Sequence, residues 1–216
     1  MLRLAMGFGI LSCAAATPIT AQVSPLQGGV DVGVAIATLV GSDTDGTESR
    51  SAAYFGGSFI FHRDGSASGF QTGLLYVPKG ATALLTGGVA ALEIGYVEMP
   101  FLLRLGLPLQ GSGVMPVLIV GGSVGLRSGC QLTASSGGTS AQVDCDDSSL
   151  QGQVDLKSVD FGLTAGAELK IPVGPRLHVV PAVRYTRGVS VIGDTANNAD
   201  ATNSAFQVGA GIRLAL

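Results

Sequence analysis

The chain has no tryptophan, only two histidines and three cysteines, and charged side chains make up just 12% of its 216 residues. An ordinary soluble domain carries roughly 25% charge, so this one has too few charged groups to cover a solvated surface. The net charge of −3 supplies no basic patch for a nucleic-acid partner. Long apolar runs are missing as well. Past the N-terminus, Gly, Ser, Asp or Pro interrupts every hydrophobic stretch before it reaches the ~18–20 residues that a spanning helix needs. Glycine, at 33 residues, and apolar side chains are abundant instead, and mean hydropathy is +0.46. In lipid every backbone group must be paired internally, so a membrane-leaning chain without helical spans points to a closed β-barrel.

Met1-Leu2-Arg3, the apolar stretch Leu4 to Ala16 and the small residues up to Ala21 have the order of a cleavable signal peptide. The expected organisation is a signal over 1–21 and one barrel domain over 22–216, with a buried N-terminal helix as the bland alternative. Ile10-Leu11-Ser12-Cys13 faintly resembles a lipoprotein box, although Leu11 is bulky for it. With Cys13 removed, Cys130 and Cys145 remain in one Gly/Ser/Asp-rich segment, and a disulfide between them is the simple reading for an exported protein. No metal site is expected: two Cys without a nearby His make a poor zinc site, and Asp144, Asp146 and Asp147 leave only cation binding to weigh.

What dominates the mature chain is alternation with a period of two. Val30, Val32, Val34 and Ile36 oppose Asp31, Gly33, Ala35 and Ala37. Ala53, Phe55, Phe59 and Phe61 oppose Tyr54, Ser58 and His62. Val159, Phe161, Leu163, Ala165, Ala167, Leu169 and Ile171 oppose Asp160, Gly162, Thr164, Gly166, Glu168 and Lys170. The last segment repeats this from Phe206 to Leu216, against Gln207, Gly209, Gly211 and Arg213. Four further segments fit less regularly, over 68–77, 92–107, 115–127 and 177–191; Pro100, Pro116 and Pro181 lie inside three of them and should mark breaks in pairing.

Connections alternate in length. Short turns are expected at 63–66, 108–113 and 173–176, and long polar loops at 41–50, 78–88, 128–157 and 192–204. The expected fold is therefore all-β: an eight-stranded antiparallel up-and-down transmembrane barrel, with short periplasmic turns and both termini in the periplasm. A soluble barrel with an apolar interior is the rival. It would need large charged side chains on the face that here holds Gly, Ala, Ser and Thr.

The segment Tyr96-Val97-Glu98-Met99-Pro100-Phe101, running on to Arg104, resembles a central strand of the bacterial outer-membrane β-barrel domain family that includes PorT-like proteins. Arg184-Tyr185-Thr186-Arg187-Gly188 is similar to a penultimate-strand motif of such barrels. The resemblance implies an outer-membrane location and barrel fold, and no single activity. The chain's last residue is Leu216, where many such proteins carry an aromatic.

Asp31, Glu98, Arg104, Asp160, Glu168, Lys170, Arg184 and Arg213 fall on the lumen face. Eight strands leave an interior barely wide enough for side chains, so ion pairs that fill the lumen are the favoured reading over a selectivity lining or proton path, with Glu98 and Arg104 in one network. No catalytic residue and no cofactor are expected. His62 and His178 both fall near periplasmic turns, away from the external face where an outer-membrane lipid-modifying enzyme would work, and neither has a recognisable nucleophile beside it. Gly121-Gly122-Ser123-Val124-Gly125 precedes no helix, so it is no phosphate loop. Acidic residues in 41–50 read as solvated. Tyr54, Tyr76 and Tyr185 are expected in the interface girdles. The functional expectation is a monomeric barrel acting through its extracellular loops, surrounded by outer-membrane lipids and inserted by the barrel assembly machinery. A narrow pore and a lipid-modifying enzyme are the alternatives.

Overall fold

The computed structural model describes residues 25–41, 47–63, 66–111, 113–147, 156–192 and 201–216. The expected signal segment 1–21 lies outside them, as do the tips of three expected loops. The strands are β1 (Leu26–Val40), β2 (Thr47–His62), β3 (Ser68–Leu85), β4 (Gly88–Gly106), β5 (Met115–Ser136), β6 (Thr139–Asp144), β7 (Val159–Pro172), β8 (Leu177–Gly188) and β9 (Thr202–Ala215). All pairings are antiparallel. β1 to β5 pair in sequence, β5 continues to β7, β8 and β9, and β9 pairs with β1, which closes a ring of eight. β6 is the ninth strand and lies outside the ring, paired only with the upper part of β5. The short connections that follow β2, β4 and β7, the start of β1 and the end of β9 all lie at one end of the barrel, since Leu26 lies opposite Phe61 and Gln27 opposite Ala215.

The wall is inverted relative to a soluble barrel. Val32 is 61% exposed and Leu163 62%, whereas Asp31, Glu168 and Arg213 are buried. Because the side-chain period is two, the alternation read from sequence assigns each of these faces without exception along β1, β7 and β9. Pro100 and Pro181 coincide with breaks: the β3–β4 ladder skips from Thr72 to Leu75 opposite Phe101 and Glu98, and the β7–β8 ladder skips from Glu168 to Ile171. Pro116 pairs with Leu169 without interrupting its ladder.

Two expected loops are corrected. Residues 78–88 are mostly strand: β3 runs through Pro78 to Leu85 and meets β4 across the turn Thr86-Gly87, where Gly87 takes φ +87°. Positive φ is what a two-residue hairpin turn requires and what glycine supplies without steric strain. Residues 128–144 continue β5 and return as β6, forming a hairpin stapled between Cys130 and Cys145. Pro, Gly and small polar residues read as loop signals here, but the strands continue past them because their inward side chains still pack beneath the cap, while the outward face needs no continuous apolar stripe.

Candidate functional site: the charged lumen and its cap

Toward the short-turn end, β1, β4, β7, β8 and β9 each place one or more charges on the inward face. Arg213 reaches Asp31 at 2.6 Å, Arg184 reaches Glu168 at 2.9 Å and Asp31 at 3.6 Å, and Arg104 reaches Glu168 at 2.6 Å. Ser58 donates to Asp31 at 3.0 Å, and Arg104 donates to Gln71. Closer to the other end, Lys79 bridges Glu98 at 2.5 Å and Asp160 at 3.0 Å, and its ammonium lies 5.0 Å from the centre of the Tyr96 ring. Asp160 also accepts from Asn203 at 3.0 Å and Ser190 at 2.7 Å. All the ion-paired side chains of both clusters are nearly sealed from solvent. Buried charges persist only when paired and hydrogen-bonded, and here the strands supply the partners across the lumen.

Seven of the eight residues assigned to the lumen from sequence are brought into these two clusters. Lys170 also faces inward, but it makes no ion pair among the described residues. Glu98 and Arg104 fall in different clusters rather than in one: five residues of β4 lie between them, Pro100 and Leu102 on the same inward face. Lys79 was hidden by its place in an expected loop. The signal for it was present, since Gln71, Gly73, Leu75, Val77, Lys79 and Ala81 continue the same inward stripe past Pro78. Tyr54 is corrected from girdle to lumen: it is buried on the inward face of β2, over the close Gly33–Gly209 pair. Tyr185 does lie on the outer face, and Tyr76 packs against the outward-facing Phe55 with ring centres 5.5 Å apart.

Above the Lys79 cluster sits an apolar cap. Ile94, Tyr96, Cys130, Cys145 and Ile192 are buried together, with Leu39, Leu92, Leu156 and Ala201 packed against them. Backbone hydrogen bonds tie the connecting segments over it, from Lys157 to Ile192, from Ile192 to Ala201 and from Arg127 to Ser158. Ion pairs Arg50–Glu93 and Arg127–Asp146 ring this end. Asp144 accepts from the Asp146 backbone, and no cluster among the described residues has the donor set for a metal ion. Among the described residues His62 Nδ1 lies 3.4 Å from the Ser68 carbonyl, and His178 Nδ1 has no hydrogen-bond partner.

A closed antiparallel ring with an apolar exterior and a charged interior defines an outer-membrane β-barrel protein. The chain belongs to the outer membrane protein β-barrel domain family, whose model matches residues 20–192, and its location is the cell outer membrane. Among solved structures it is similar to the outer membrane protein OprG of Pseudomonas aeruginosa, at 15% identity and a TM-score of 0.50, over 91% of this chain and 99% of that one. It also aligns with Neisserial surface protein A, at 15% identity and a TM-score of 0.49, over 89% and 98% of the two chains. The OprG likeness shows a shared fold. No curated protein matches the chain.

Proposed function

We propose that this protein is a closed-lumen barrel that works at the cell surface through its β5–β6 hairpin and neighbouring connections, and that it neither conducts solutes nor catalyses a reaction. The observation that carries this reading is the filled interior: two buried ion clusters stacked beneath an apolar, disulfide-stapled cap. Water or ions would have to displace paired charges to pass, at a cost of several kcal/mol. The side with longer connections is external by the rule that periplasmic turns are short, which puts the hairpin outside the cell. The apolar exterior is matched to outer-membrane lipid, the barrel assembly machinery would insert it, and a monomer suffices because the ring leaves no open edge in the wall.

Conductance in planar lipid bilayers tests this directly. Purified protein should give no steady channel, and a persistent open level in most insertions would overturn the closed lumen in favour of a narrow pore. A mass shift in lipid A on expression would overturn the non-catalytic part.

A further inference from the structure

Five cations line the inner wall within the ring, Lys79, Arg104, Lys170, Arg184 and Arg213, and four carboxylates oppose them, Asp31, Glu98, Asp160 and Glu168. Every one of these except Lys170 has an ion-pair partner within 3.6 Å. Among the described residues Lys170 is the unmatched charge, and it is only 8% exposed. It lies near the short-turn end of β7, opposite Met115 on β5. Pro172 pairs with His178 on β8, so Lys170, two residues back on the same face, is the diagonal neighbour of His178. Among the described residues, the charged or titratable groups coupled to Lys170 are Arg104, His62 and His178, and none of these is an anion. His178 contributes a second unmet demand, because its Nδ1 has no hydrogen-bond partner among the described residues. The nearest carboxylate cluster is already short of negative charge, with Arg104, Arg184 and Arg213 sharing Asp31 and Glu168.

We propose that the periplasmic mouth of the barrel is a binding site for a small oxyanion, a phosphate or a carboxylate, held by the Lys170 ammonium with His178 as the second donor. A largely sealed lysine with no counter-charge beside its ammonium is unfavourable, and three guanidinium groups deeper in the lumen extend the positive field that draws an anion to this end. A neutral imidazole can donate from Nδ1 to an oxyanion while Lys170 supplies the charge-assisted bond. The site lies at the rim, so it stands whether or not the lumen conducts.

The test uses the full mature protein, isotope-labelled and folded in a phosphate-free non-ionic detergent. Inorganic phosphate and acetate are titrated separately at constant ionic strength against chloride, while the Lys170 side-chain and His178 ring resonances are followed. Saturable shifts with phosphate alone assign a phosphate site, whether free or on a headgroup; shifts with both assign a general oxyanion site. Lys170→Met, close in volume, should weaken the apparent affinity by about tenfold or more, and Lys170→Arg should restore it. No saturable shift in the wild type beyond the chloride control would overturn the proposal, as would unchanged affinity in Lys170→Met. Should Lys170→Met fail to fold, the wild-type titration against chloride still decides.

Discussion

Glu168→Gln isolates the charge of one buried carboxylate with almost no change in volume. Glu168 has no exposed side-chain surface and receives Arg104 at 2.6 Å and Arg184 at 2.9 Å. After the substitution Arg184 keeps only Asp31, at 3.6 Å, and Arg104 keeps the neutral Gln71. Removing one member of a buried pair costs about 3–5 kcal/mol, because the remaining charge stays desolvated. The pair Arg50–Glu93 at the outer rim is 26% and 34% exposed and supplies an internal contrast. Solvent screens such a pair, so Glu93→Gln should cost less than about 1 kcal/mol. Equilibrium urea unfolding in lipid vesicles measures both. Adding Arg104→Met to Glu168→Gln should recover part of the loss, since it removes the orphaned guanidinium. A Glu168→Gln cost within about 1 kcal/mol of wild type, or one equal to that of Glu93→Gln, would refute the view that paired charges hold the lumen together.

Gly33→Ala places a Cβ 2.6 Å from the Tyr54 ring, with the Val208 carbonyl closer still; it should destabilise by about 1–3 kcal/mol in the same unfolding assay, and less in a Tyr54→Ala background. Cys145→Ser removes the link that closes the β5–β6 hairpin across a separation of 15 residues, a local constraint of about 3 kcal/mol. Limited proteolysis should then cut within residues 131–157 much faster, while the barrel keeps its folded, fast-migrating form on an unheated gel. Loss of that form would show that the staple holds the barrel and not only the hairpin.

Sequence reveals the wall of this protein better than its ends. Within the bilayer the outward stripe must be apolar and the inward face small or polar, so residues such as Val32 and Asp31, or Leu163 and Thr164, announce their sides through a strict period of two. Beyond the bilayer that constraint lapses. The upper parts of β3 and β5 and the whole of β6 read as loop because Pro78, Gly80 and small polar residues interrupt the outward stripe there, which hides Lys79 with them. Which charges meet was not legible either. Strand alternation gives a side chain's face but not which residues of other strands lie at its height, and that height, set by register, brings Glu98 to Lys79 and Arg104 to Glu168; that Glu98 and Arg104, on one strand, stand too far apart to meet was already legible in their spacing. Register also leaves Lys170 without an ion pair among the described residues and puts Tyr54 beside its glycines.

The absence of tryptophan permits a direct test of the central claim, that the apolar stripe faces lipid. Leu163→Trp introduces a single fluorophore at an outward position of β7, and Gln142→Trp introduces one on β6, exposed and outside the ring. In vesicles containing brominated phospholipid, emission from position 163 should be blue-shifted and strongly quenched, while that from position 142 should be water-like and unquenched. Water-like, unquenched emission from position 163 would contradict the inverted barrel.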